Sequence, residues 1–580
     1  MFLAIEAGLI VLALALALTV PNLGSRWFDA LERTFGNLAR QHRLSIITVG
    51  LSAMSLRAAL LPILPIPAPS VHDEFCYLLL SDTFAHGRLT NPTSPMWVHF
   101  ETPFILWHPT YTAKYWPVQG LFMAAGQVLM GHPFWGIWLS VGLMCAAITW
   151  MLQGWLTPGW ALLGGFLAVI RFGSFNYWAN SYWGGAVAAM GGALVLGALP
   201  RLKQEHRVRN VLLMGLGFAI LANSRPYEGL FFSIPIAVAL LAWLWKLKRP
   251  EFGYALKSVV VPLLAVLALT VVGMGYYFWR TTGNPLSPPY VVYERTYNPV
   301  PNFPWQPLRH TPAYHHPELK RFFLHMKTAF YDTSRTPAAL TLKILAKLAL
   351  FWSFYLGVAF TLPLVLVLGG LPYGFSWKDV SPEAYLLLAV SAAVVLANML
   401  PITYQEHYTA PATSSILALV LLAMRSIRPL DWYGKTAGRF ITRAIPLVCV
   451  LLLGLRAAAG PLHISAIPSW CAPAHSNTER EEILDGLMKR PGGQLVIVQY
   501  SPDDDITGPG WVYNRADIDS AKVVWADNMG SAKNKELIGY FKDRQVWLLN
   551  VDDNPPKLMP YPEAADGESS TRRQNGSMAK

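Results

Sequence analysis

The sequence predicts an all-α polytopic membrane protein with about twelve transmembrane helices and a small C-terminal α/β domain outside the membrane. Three observations carry that expectation. Of the 580 residues, 53% are hydrophobic and only 14% are charged, against roughly 25% charged residues in a water-soluble domain; mean hydropathy is +0.34. Long apolar runs alternate with short polar joints through most of the chain. That alternation stops near Pro461, after which segments of ordinary polarity follow. The composition excludes a disordered or collagen-like chain and argues against one large soluble globule.

A helix needs roughly 20 mostly apolar residues to cross a bilayer. Clear runs lie near 3–20, 44–65, 133–154, 184–199, 228–245, 258–279, 343–370, 384–403, 411–427 and 444–460, and weaker ones at 158–173 and 211–223. The first run contains Glu6 and lacks a basic n-region, so it reads as a retained span rather than a cleaved signal. After it, Trp27, Phe28, Leu31, Phe35 and Leu38 recur at helical spacing, which predicts an amphipathic helix on the membrane surface.

The net charge is +12. Basic residues cluster in four joints: Arg26 to Arg43, Arg201 to Arg209, Lys246 to Lys257, and Arg425 to Arg443. The span order puts all four on one side, which the positive-inside rule makes cytoplasmic. The charge thus sets orientation in a cell (inner or plasma) membrane and needs no nucleic acid. The expected organisation is 1–43 (first span and surface helix), 44–460 (transmembrane domain with outer loops 66–132 and 280–340), 461–563 (extracytoplasmic α/β domain) and 564–580 (disordered tail). In the α/β domain, strands are expected at 494–500, 521–526 and 545–551, with helices at 478–489 and 532–543.

Chemistry is sought on the outer face. Asp73 and Glu74 follow the second span. Adjacent helical residues point about 100° apart, so the two acids would not share one job. One reads as a general base or a ligand for a cation or sugar; the competing reading is a helix start enriched in acids. Lys114 fits a lipid phosphate, or ordinary attraction to head groups. The joint Phe175 to Gly185 sets Tyr177, Asn180 and Tyr182 among further aromatics, which suits sugar faces or an interfacial belt. Arg225 and Glu228 lie at the outer membrane surface as a functional pair or a structural one. Glu406 and His407 stand, with Tyr408, at a late span entrance, where the first two are catalytic or capping. His315 and His316 are adjacent and cannot easily share one ion, so no metal site is assigned. Cys76 and Cys471 are both expected outside, where a disulfide is left open; Cys145 and Cys449 fall within spans. Asp503-Asp504-Asp505 reads as a solvated turn, and 317–332 as a helix with Phe322, Phe323 and Met326 on one face.

Taken together, a span followed by Asp73-Glu74, half-sunk helices, Lys114-Tyr115-Trp116-Pro117, a chain of spans and an outer His407-Tyr408-Thr409-Ala410-Pro411 resembles the GT-C membrane glycosyltransferases. The nearest pattern is the family 39 type, which includes protein O-mannosyltransferases and lipid A aminoarabinose transferases, and the likeness covers roughly 44–460. The resemblance implies a GT-C-like fold and transfer of a sugar, with inversion, from a polyprenyl-phosphate donor in the membrane lipid to an acceptor on the outer face. It implies Asp73 as the catalytic carboxylate and Glu74 as the second acid of the pair. It implies Lys114 and Arg225 at the donor phosphate, and Tyr177, Asn180, Tyr182, Glu228, His407 and Tyr408 at sugar or acceptor. This chain departs from the family pattern at Trp116-Pro117, where two prolines are usual, at Asn180, where a charge is common, at Arg225, where Lys or Thr is common, and at His407, where Arg precedes Tyr. The sugar and the acceptor are not specified, no cofactor is assigned, and a divalent cation is left open. A transporter or flippase of a lipid-linked glycan, or a non-catalytic scaffold, are the competing classes. A transporter would place charges at mid-span and show internal repeats, whereas the notable polar groups here lie at the outer ends.

Overall fold

The computed structural model describes residues 1–205, 207–369, 382–431, 436–460, 462, 478–500 and 510–562. Cys471, the Asp503-Asp504-Asp505 turn and the tail from 564 lie outside the described residues.

The chain begins with α1 (Phe2–Thr19), α2 (Ser25–Arg40), α3 (His42–Ala59), α4 (His72–Ala85), α5 (Pro117–Met130), α6 (Phe134–Leu152), α7 (Pro158–Phe172), α8 (Ala186–Glu205), α9 (Val208–Ala222) and α10 (Pro226–Trp245). Longer helices follow at Arg249–Thr282, Pro337–Tyr355, Glu406–Ile427 and Ala437–Ala457. Among the described residues, eight helices are long and apolar enough to cross a membrane: α1, α6, α8, α10 and these four. Shorter apolar helices, including α7, α9 and Gly357–Leu368, fill the bundle between them. Leu241, Val271, Val272 and Leu342 are between 65% and 70% exposed on its outside. Large apolar side chains at that exposure on helices of spanning length fit lipid rather than water, so the chain is a multi-pass membrane protein.

One predicted span is broken. The run 343–370 forms two helices, Pro337–Tyr355 and Gly357–Leu368, because Gly357 takes φ 58° between them. Glu6 of α1 explains the break. Its buried carboxylate accepts the Ala359 N–H at 2.9 Å, satisfying an orphan donor at the start of the second helix. A Cβ at position 357 would stand 2.8 Å from that carboxylate, so only glycine fits. The one acid of the first run is therefore an anchor between spans.

At the basic end of the bundle, α2 is held by Asp29 and Glu32, which pair with Arg443, while Glu32 also pairs with Arg428. Trp27 and Leu31 remain exposed on it, as an amphipathic surface helix requires.

At the other end, the segments 66–132 and 280–340 fold over the bundle. α5 packs on α6 so closely that a Cβ on Gly126 would lie 2.0 Å from the Gly136 nitrogen. Arg57, buried at the end of α3, donates to the carbonyls of Ala179 at 3.2 Å and Leu64 at 3.0 Å. It thereby ties the approach to α4 to the joint after α7. The strands β1 (Ile105–Leu106) and β2 (Thr112–Ala113) form a small antiparallel pair within the first segment.

The C-terminal unit carries β3 (Gly493–Gln499), β4 (Val523–Asp527), β5 (Arg544–Asn550) and β6 (Lys557–Pro560) in the order β4-β3-β5-β6. The first three are parallel, with the helix Ser531–Tyr540 between β4 and β5, as the alternation of strand and helix predicts. The fourth strand, antiparallel to β5, adds to the three expected. Its flanking prolines confine it to the sheet edge and hide it from a strand pattern.

Candidate active site

The two adjacent acids separate by environment. Glu74 is fully buried, and both its oxygens serve backbone donors: Oε2 accepts Ser70 N–H at 2.9 Å and Val71 N–H at 3.2 Å, and Oε1 accepts Tyr182 N–H at 3.0 Å. It caps its own helix and fastens it to the joint 174–184. Burial raises its pKa above the carboxylate range, against the pull of these donors. Asp73 is half-buried and faces the other way. Its Oδ1 accepts the Tyr115 hydroxyl in a short hydrogen bond. Burial first and the Asp73 charge second push the Tyr115 phenol well above its usual range, so it stays a donor. Oδ2 of Asp73 accepts no hydrogen bond from the described residues.

Removing Glu74 is therefore a structural lesion. Glu74→Ala leaves three backbone donors unpaired and is expected to cost about 3 kcal/mol or more. A thermal midpoint in detergent equal to that of the unaltered chain would contradict this.

Tyr115 begins an aromatic wall. Its ring stacks on Tyr77 at 5.1 Å and meets Phe104 at 5.9 Å. Two cations share the Phe104 ring: Lys114 Nζ lies 3.9 Å and Lys327 Nζ 5.5 Å from its centroid. Phe104 has φ 71°, a left-handed conformation that costs a non-glycine residue about 1–2 kcal/mol. Its backbone is held there by the Tyr293 hydroxyl, which accepts the Phe104 N–H at 2.7 Å, and by Lys114 N–H, which donates to its carbonyl at 3.0 Å.

The cations differ in what they have left to offer. Lys114 is only 5% exposed, pairs with Glu294 Oε1 at 3.0 Å, and is ringed by Phe104, Tyr115, Tyr290 and Tyr293. Burial alone would raise the Glu294 pKa, but Lys114 and Lys327 bring it below the usual range. Lys327, from the helix 317–332, is half-buried and forms no ion pair among the described residues. Burial and the Lys114 charge lower its pKa, while Glu294 and Asp73 act to hold its proton. Arg225, the residue before α10, lies over the Tyr408 ring at 4.6 Å and likewise forms no ion pair among the described residues. Its field reaches Tyr77, Tyr408 and Tyr115, and Glu228 is buried within electrostatic reach of it.

Of the residues singled out in the sequence, the fold brings Asp73, Lys114, Arg225, Glu228 and Tyr408 into one cluster. Tyr177, Asn180, Tyr182 and His407 are buried behind it with Glu74. The Tyr177 hydroxyl lies 2.8 Å from His407 Nδ1, and Asn180 Nδ2 donates to the Ser174 and Asn176 carbonyls at 2.7 Å each. Lys327, Glu294, Tyr77 and Phe104 joined the cluster unannounced. One signal for Lys327 was present: it stands four residues after Phe323, on the same helical face. His315 pairs with Glu101 at 2.8 Å, while His316 Nε2 donates to the Val98 carbonyl, so the two rings have separate partners. No group of three or more potential metal ligands occurs among the described residues. Cys76, Cys145 and Cys449 are free thiols.

These features define a multi-pass membrane protein with a cluster of acids and cations at one end of its bundle. No family model and no curated protein matches the chain. Partial likenesses occur among solved structures. The Archaeoglobus fulgidus oligosaccharyltransferase, tethered with an acceptor peptide containing the NVT sequon, is 11% identical over 88% of this chain and 69% of its own, with a TM-score of 0.46. ArnT from Cupriavidus metallidurans, bound to undecaprenyl phosphate, is 12% identical over 87% of this chain and 92% of its own, with a TM-score of 0.44. Likeness at this level identifies neither a family nor an activity.

Proposed function

We propose that this chain is a GT-C-type glycosyltransferase that moves a sugar from a polyprenyl-phosphate donor to an acceptor hydroxyl. The observation that carries the reading is the Asp73 carboxylate, one oxygen fixed by Tyr115 and the other without a hydrogen bond from the described residues, clustered with Arg225 and Lys327, two cations that form no ion pair among the described residues. Asp73 Oδ2 takes the acceptor proton as the acceptor oxygen attacks the anomeric carbon. The bond from that carbon to the phosphate oxygen breaks, and the electron pair leaves with the phosphate. Arg225 and Lys327 stabilise the charge that builds there, with Lys114 behind them held by Glu294. A single displacement inverts the anomeric centre. In this reading, by the positive-inside rule, the basic end of the bundle faces the cytoplasm and the acid-and-cation site faces outward. Mass spectrometry of surface glycans from cells with and without the protein tests the reading, with Asp73→Asn as the inactive control. Identical glycans in all three would remove it.

The phosphate role of Lys327 has its own signature. Its pKa is depressed, so its charge is lost at lower pH than an ordinary lysine's. Above about pH 8, where a phosphate monoester is fully ionised, binding of undecaprenyl phosphate by the purified chain is expected to weaken as pH rises. Lys327→Arg should keep binding level across that range, because guanidinium holds its proton. An alkaline decline unchanged in Lys327→Arg would take Lys327 out of the phosphate site.

A further inference from the structure

The segment from Gly510 to Ile518 lies along the whole length of α4. Gly510 N–H donates to the Ser70 carbonyl at 3.1 Å, before the helix. The Tyr513 ring stacks on Phe75 at 4.3 Å with the planes 5° apart, and its hydroxyl lies 2.7 Å from His72 Nδ1. Ala516 N–H donates to Asp82 Oδ2 at 2.9 Å, near the helix end. The segment is itself bound to the C-terminal unit. Arg480 donates to the Trp511 and Tyr513 carbonyls at 3.1 Å each, and Asn514 exchanges two hydrogen bonds of 2.8 Å with Trp525 of β4.

Tyr513 also reaches the segment before Phe104. Its hydroxyl donates to the Pro103 carbonyl at 3.0 Å. That carbonyl can only accept, so the phenol proton goes to it and His72 Nδ1–H donates to the phenol oxygen. Pro103 immediately precedes Phe104, whose ring lies under Lys114 and Lys327, and His72 immediately precedes Asp73. One hydroxyl therefore touches the neighbour of the acid and the neighbour of the cation platform.

We propose that Tyr513 is a positioning residue through which the C-terminal α/β unit fixes the Asp73 carboxylate relative to Lys327, making that unit part of the active-site geometry. The proposal rests on the roles given above to Asp73 and Lys327. Reacting groups held out of register by about 1 Å lose up to about 10²-fold in rate.

The test uses the full chain in membranes. Tyr513→Phe keeps the ring on Phe75 and deletes both hydrogen bonds. Transfer per mole of folded, monodisperse protein is expected to fall about tenfold or more, with the dissociation constant for undecaprenyl phosphate changed by less than about threefold. Asp82→Asn loosens the same contact at the far end of α4 and is expected to lose about threefold. Tyr540→Phe, an exposed phenol on the same unit, should match the unaltered chain. A merely structural Tyr513 would reduce the amount of folded protein but not its specific rate. Tyr513→Phe at the unaltered specific rate overturns the proposal, and should that variant not fold, Asp82→Asn at the unaltered rate does so. If the unaltered chain itself transfers no sugar, the functional reading falls and this proposal with it.

Discussion

Asp73→Asn is expected to leave a folded, donor-binding protein whose transfer rate is lower by about 10³-fold. Asparagine keeps an oxygen for the Tyr115 hydroxyl, so the aromatic wall with Tyr77 and Phe104 has no reason to move. What it removes is the only feature the proposed chemistry needs at that position, a carboxylate oxygen able to accept a proton. The neighbouring acid cannot substitute, because both Glu74 oxygens are engaged by the Ser70, Val71 and Tyr182 amides. The two substitutions should therefore separate cleanly. Asp73→Asn loses rate and keeps its thermal midpoint; Glu74→Ala loses thermal midpoint first. The measurements are surface glycan by mass spectrometry, at matched protein level, and scanning fluorimetry of the purified chain. Unchanged glycan in Asp73→Asn would end the catalytic assignment.

The contrast between these acids shows what a sequence can carry. A bilayer demands long apolar runs, so most of the bundle was legible from hydrophobicity alone. The break in 343–370 was not, because the reason for it is Glu6, brought to Gly357 only by packing of α1. In the cluster, Asp73, Lys114 and Arg225 were legible as scarce charges near span ends. Their division of labour was not. Whether Glu74 or Asp73 is free depends on the Tyr182 amide, and whether Lys114 is free depends on Glu294, each distant in the chain. Lys327 was not singled out within the helix 317–332. The ring of Phe104, at its left-handed turn, lies against both lysines and gives Lys327 a place beside Lys114. The tie between Tyr513 and His72 likewise joins two segments that no local pattern relates.

The same logic predicts that removing both cations that form no ion pair among the described residues will be as damaging as removing the acid. The double variant Arg225→Met with Lys327→Met is expected to lose about 10³-fold in transfer, each single variant losing about 10²-fold or less. Methionine preserves much of the side-chain volume, so packing on Tyr408 and Phe104 survives while the charge goes. Negative charge on the phosphate oxygen grows as its bond to the anomeric carbon breaks, so the loss should fall more on kcat than on KM. Lys114→Met should behave differently. It strands Glu294 in a buried site beside Tyr290 and Tyr293, and instability should accompany any loss of rate. Arg280→Met, an exposed cation at the same membrane end, should transfer at the unaltered rate. If Lys114→Met lost rate without stability while the Arg225 and Lys327 variants transferred normally, the phosphate would lie in the Lys114 cage instead.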